Sequence, residues 1–197
     1  VLPQASKNVW GRSDSMRREE EVIHPASLSQ TIDATNAVLF AGGTLAIGER
    51  KNVGRWIAAR QGLPGAYAAT FAGFPREQEE GIVTFTGERL TSASARHILG
   101  EETCRLLRLL KLRDRVVAEA LARADEGLQN RVDSAALEAR TDNPGLYCCG
   151  KCSVGLWRNL LSGGLDRQEE RLHRGVAQLR SMRDGDGRWR KFPFWYT

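Results

Sequence analysis

The 197 residues carry 29 Lys and Arg against 24 Asp and Glu, a net charge of +5, with 41% hydrophobic and 27% charged side chains. This is the make-up of a globular chain long enough to bury a core without disulfides. No run approaches the roughly 20 apolar residues that a membrane-spanning helix needs. No secretory signal is legible either, so a soluble, cytoplasmic protein without a disulfide framework is expected.

Residues 1–28 show no periodicity: Gly11-Arg12-Ser13-Asp14-Ser15 reads as a turn and 17–21 as a charged run, so 1–30 is taken as an irregular segment. The chain does not begin with Met and stops within Phe192-Pro193-Phe194-Trp195-Tyr196-Thr197, an apolar run resembling the first turn of a helix. A piece cut at one or both ends is therefore expected. Residues 31–47 are apolar almost all round, which predicts a buried helix, with a kink where Gly42-Gly43 weakens it. A second helix is predicted over 51–61 and ends at Gly62-Leu63-Pro64-Gly65. Residues 66–72 read as a helical turn or two.

Pro75 followed by Glu77, Glu79 and Glu80 has the form of a helix start. Ile82 to Phe85 would suit a strand, but the helix is preferred through this stretch. A strong helix is predicted over 94–112, a continuation over 116–124 after a break at Arg113-Asp114, and a weaker helix over 130–139. Thr141 to Gly145 is the clearest loop, and it separates a helical array over 31–140 from a C-terminal segment over 146–197. That segment holds helices over 153–161 and 166–182, with Asp166 and Glu169 spaced as a capping box.

Basic residues gather in this last third, among them Arg167, Arg171, Arg174 and Arg180, but Asp166, Glu169, Glu170 and Asp184 interleave with them. A solvated, internally neutralised helix face fits that mixture better than a nucleic-acid stripe.

Three of the four cysteines form Cys148-Cys149-Gly150-Lys151-Cys152. The gap between Cys149 and Cys152 lets two thiolates reach one zinc ion, and Cys148, His97, His173 and Cys104 are the available further ligands. Zinc is thus a candidate cofactor with Cys149, Cys152 and Cys148 as metal ligands. Two other readings stand beside it: a redox pair, and small side chains packed at a helix start. His97 lies one helical turn from Glu101, a spacing that suits acid–base work but is more common in structural histidines.

One spaced pattern occurs twice. Trp56-Ile57, three residues, Gln61, three residues, Gly65, one residue, Tyr67 is the first copy; Gln178-Leu179, three residues, Arg183, three residues, Gly187, one residue, Trp189 is the second. Each reads as a helix end, a polar residue in the last turn, a glycine turn and a large aromatic that fills a seam. The pattern resembles the QW motif of the terpenoid cyclases and protein prenyltransferases, with Tyr67 in place of Trp, Gln178 at the aromatic position and Arg183 at the Gln position. The resemblance implies an all-α fold of helical hairpins stacked in an α/α-toroid-like array, incomplete in this chain. It also implies an apolar, isoprenoid-like ligand in a cavity lined by aromatics. The acidic motifs of the catalytic members are absent: Asp184-Gly185-Asp186-Gly187 lacks their adjacent acid pair and reads as a turn. The expectations are a prenyltransferase-like or terpenoid-cyclase-like helical-repeat protein, active or inactive, or a non-catalytic helical-repeat binding module with a structural zinc.

Overall fold

In the computed structural model, which describes residues 22–134, 146–193 and 196–197, α1 (Leu28–Phe40) begins where Ser27 turns extended and its hydroxyl accepts the N–H of Gln30. A second acceptor comes from far along the chain. The Glu77 carboxylate accepts the N–H groups of Leu28 at 3.1 Å, Ser29 at 2.8 Å and Phe74 at 2.8 Å, together with the Ser27 hydroxyl. An anion at a helix N-terminus satisfies donors that have no intrahelical partner and complements the dipole. Burial alone would raise the Glu77 carboxyl, but these donors outweigh it and hold it below the usual carboxylate range.

The single kinked helix expected over 31–47 is two elements. Helix α1 stops at Phe40, Gly42 takes φ +74, and α2 (Ile47–Ala58) starts beyond the turn. Left-handed backbone at glycine closes a helix at little cost, so the glycine pair ends the element instead of bending it. The expected all-round burial also fails at this corner, where Phe40 is 94% and Ile47 74% exposed.

Helix α3 (Pro75–Glu80) is likewise shorter than expected. Gly81 stops it at φ +85, with the Leu90 carbonyl standing where a Cβ would be. The β-branched residues that follow then form strand β1 (Ile82–Val83), paired antiparallel with β2 (Arg89–Leu90). Here strand propensity prevails over the helical reading.

Helix α4 (Ser92–Leu109) is followed by α5 (Arg115–Asp133), which Asp114 caps by accepting the N–H groups of Val116 and Val117. Two helices follow, α6 (Gly150–Leu161) and α7 (Gln168–Ser181). The capping box expected at Asp166 does not form. The N-cap is Arg167, in left-handed conformation and without a side-chain cap, while Asp166 pairs with Arg171 instead. The predicted helix over 130–139 is, as far as residue 133, the last turn of α5, with Ser134 as its extended C-cap; residues 135–139 and the 141–145 loop lie outside the described residues. So do residues 1–21, most of the irregular segment.

These seven helices and the hairpin are mostly helical structure among the described residues. The most extensive contact joins α4 to α6; α4 also packs on α1 and α5, α2 on α5, and α6 on α7. Directions follow from the partners. Arg105 on α4 meets Asn36 on α1, while Ile98 and Glu102 flank the same cleft as Ser29 and Asp33, so α1 and α4 run the same way. Gly155 faces Ile98, Arg158 meets Glu102 and Ser162 meets Arg108, so α6 runs the same way too. Arg55 pairs with Asp114, and Gln61, just past α2, with Arg123, which makes α2 and α5 parallel. Leu28, Ile57, Ile98, Leu106, Leu128 and Leu160 are all fully buried in one continuous core. Each contributes roughly 2 kcal/mol by leaving water.

A candidate metal centre between two helices

The chain brings His97 near the start of α4 against the segment that opens α6. His97, Cys148 and Cys152 each present a ligand atom, and these atoms lie within 4.8 Å of one another. Cys148 and Cys152 of the three cysteines that the sequence offered as ligands lie in this group, together with His97. Cys149 falls outside it, although its sulfur is hydrogen bonded to Cys152. Cys104, buried within α4, and His173 do not join the group. Local chain geometry explains the split. Cys149 is the extended N-cap of α6, with φ −144, and Cys152 lies one turn inside that helix.

Several contacts pin this segment. Ser153 accepts the Tyr147 N–H at 2.9 Å and donates its hydroxyl to the Cys149 carbonyl at 2.7 Å. Gly150 has no room for a side chain, because the Lys191 carbonyl occupies the place of its Cβ. Lys151 is drawn towards the hairpin by a 2.6 Å ion pair with Glu88.

His97 is held by aromatic rings. Tyr67 lies over it with ring centroids 3.7 Å apart, and Tyr147 approaches at 6.3 Å. The two tyrosine hydroxyls are hydrogen bonded to each other. The buried Nδ1 of His97 has no hydrogen-bond partner among the described residues. Burial, reinforced by the charges of Arg96 and Arg131, lowers the imidazole to about 4. The ring is therefore neutral at physiological pH, the form that binds a metal. Among the thiols, the hydrogen bond from Cys152 and the N–H groups of Cys152 and Lys151 bring Cys149 down to about 5, against the effect of burial. Cys152 is pushed far up, by its bond to Cys149 and by burial, while burial raises Cys148.

The first motif copy supplies the tyrosine. Gly65 takes φ +90 with the Gln78 side chain in its Cβ place, Gln61 donates to the Ala69 carbonyl at 2.8 Å, and Trp56 stacks on Phe74. The loop over 62–74 is closed by an antiparallel bridge between Gln61 and Phe71, and Ala68 and Ala69 both adopt left-handed backbone. That strain, on the order of 1 kcal/mol per residue, is held by two helical glycines that make room for the loop. Thr70 sits against Gly100 of α4, and the Ala68 carbonyl sits against Gly127 of α5.

The second copy has a related form. Gly187 takes φ +80, Arg183 bridges to Trp189, and half-buried Trp189 packs on the core. Asp184 accepts the N–H groups of Asp186 and Arg188, so the Asp-Gly-Asp-Gly run is a turn. The copies differ: Arg183 pairs with the motif's own aromatic, whereas Gln61 pairs beyond Tyr67, and the Cβ place of Gly187 is open where that of Gly65 is filled.

Sequence reasoning missed Tyr147, Gly100 and Gly127. The glycines carried a signal, since glycine inside a helical pattern marks close approach of another segment; Tyr147 carried none. On the other side of α4, a cavity of about 20 Å³ lies among Ser29, Asp33, Phe85, Glu102 and Tyr196. It has room for a water molecule and not for an isoprenoid.

Three arginines of the basic C-terminal third are ion-paired: Arg167 and Arg174 with Glu170, and Arg171 with Asp133 and Asp166. No helix among the described residues is long and apolar enough to cross a membrane. No family model, curated protein or solved structure matches the chain.

Proposed function

We propose that this chain is a non-catalytic helical-hairpin binding module whose α4 and α6 are joined by a structural zinc ion held by His97, Cys148 and Cys152. The observation that carries the reading is the convergence of one imidazole and two thiols from distant parts of the chain. Nitrogen and sulfur donors without carboxylate oxygens suit zinc and disfavour magnesium or calcium. A neutral, unpartnered His97 Nδ1 supports it further. An ion here would tie the first turns of α4 to the start of α6, the pair of helices with the most extensive contact.

Elemental analysis of protein purified under reducing conditions tests this. About one zinc per chain is expected, lost in His97→Ala and in Cys152→Ser and kept in Cys104→Ser. Metal-free protein that takes up neither zinc nor cobalt under reducing conditions would refute it.

The prenyltransferase-like reading has its own support. Helices α1, α4 and α6 form one parallel row, and α2 and α5 a second. The Asp133–Arg171 and Gln129–Asp166 contacts extend the second row to α7. Two parallel rows of hairpins with glycine–aromatic corners are what an arc of an α/α toroid requires. On this reading the module accepts an isoprenoid-like ligand. Saturable calorimetric binding of farnesyl diphosphate is the expected result, and no heat at high micromolar ligand would count against it.

A further inference from the structure

We propose that Cys149 and Cys152 form a reversible disulfide, with Cys149 as the attacking sulfur, and that this bond removes Cys152 from the metal-binding group. Forming the bond does not depend on the metal; the consequence for the ion rests on the zinc reading above.

The geometry is asymmetric in the way thiol exchange needs. Cys149 is exposed and stands at the N-cap of the 12-residue helix α6, in extended backbone. Cys152 is buried one turn inside the same helix, and its thiol is already hydrogen bonded to Cys149. An incoming disulfide can therefore reach Cys149 but not Cys152. Cys148 is exposed as well, but a bond between the adjacent residues Cys148 and Cys149 would close a small strained ring.

The reaction with a low-molecular-weight disulfide, RSSR, balances. The Cys149 thiolate attacks one sulfur, the R–S–S–R bond breaks, and one RS⁻ leaves with the Cys149 proton as RSH. The Cys152 sulfur then attacks the mixed disulfide at Cys149 and expels the second RS⁻, which takes the Cys152 proton. Two protein thiols are oxidised and one disulfide is reduced to two thiols. With Cys152 oxidised, His97 and Cys148 remain, too few to hold zinc tightly.

The test uses the full chain, metal-free and zinc-loaded, with excess oxidised glutathione, followed by alkylation and tryptic mapping. Lys151 separates the two cysteines, so the expected bond links peptides 141–151 and 152–158, whereas a Cys148–Cys149 bond stays within one peptide. The link is expected to persist in Cys148→Ser and to vanish in Cys149→Ser. Cys152→Ser is expected to trap one glutathione on Cys149. Zinc-loaded protein is expected to release one zinc per bond formed. Reduced Cys149 and Cys152 in metal-free protein, or a link that requires Cys148, would overturn the proposal while leaving the metal reading intact. A bond that forms in protein shown to bind no zinc would sustain the proposal and end the metal reading.

Discussion

Replacing Glu101 with Gln is expected to stabilise the fold at neutral pH, an unusual outcome for a change at a fully buried residue of α4. Glu101 is 0% exposed. Its Oε2 accepts from the Asn159 side-chain amide at 2.7 Å, and its Oε1 has no partner among the described residues. Asn159 in turn accepts from Arg108, which pairs with Asp125, so the arginine charge lowers the Glu101 carboxyl too little to offset its burial. Burial therefore raises the carboxyl from 4.5 to about 8. The unfolded chain releases this proton near its ordinary value while the folded chain keeps it. Between those two values folding stability falls as pH rises, by about 1.4 kcal/mol per pH unit. At pH 7 the upper limit of the cost is roughly 3 kcal/mol. Gln keeps the acceptor for Asn159 and has no proton to lose, so the variant removes the pH dependence, while its Nε2, standing in the unpartnered Oε1 place, offsets part of the gain. Urea unfolding followed by circular dichroism from pH 5 to 8 measures it. The expected gain is up to roughly 3 kcal/mol at pH 7, a melting temperature several degrees higher, shrinking below about 1 kcal/mol at pH 5. A variant no more stable than wild type at pH 7, with an unchanged pH slope, would refute the argument.

Other perturbations reach different parts of the fold. Glu77→Gln puts an amide donor against the N–H groups that Glu77 accepts; a loss of about 2–3 kcal/mol at pH 7 is expected in chemical denaturation. Because the Glu77 carboxyl is held low, its contribution is present above the unfolded value and disappears as pH falls through the folded one, so the two proteins should converge in acid. Gly127→Ala would normally strengthen a helix by about 1 kcal/mol, but here its Cβ meets the Ala68 carbonyl. A net loss of about 1–3 kcal/mol is expected, and a higher melting temperature would show that the loop over 62–74 yields freely. Since Arg167, Arg171 and Arg174 are paired with carboxylates, no retention on heparin at physiological ionic strength is expected. Salt-sensitive retention would reopen the nucleic-acid reading.

What could be read from the sequence was local. Apolar periodicity located α4 and α7 to within a few residues and the start of α5, because a helix that buries one face must repeat at its own pitch; α5 runs on to Asp133 where two shorter helices were expected. Local reading failed where two local preferences competed. At Gly42-Gly43 a helix ended that was expected to bend, and at Ile82 strand pairing with Leu90 replaced a continued helix. The Asp166 cap failed because Arg171 offered that carboxylate a charged partner.

At the candidate site the sequence determined the donor types and the spacing of Cys149 and Cys152. That spacing reports only what one turn of backbone can bring together. Selection of His97, exclusion of Cys149 and the seating of Tyr67 on the imidazole were decided by packing among α4, α6 and the loop over 62–74. Contacts between segments so far apart in the chain leave no period in the sequence; they exist only once helices with glycine-sized gaps have come to rest against one another.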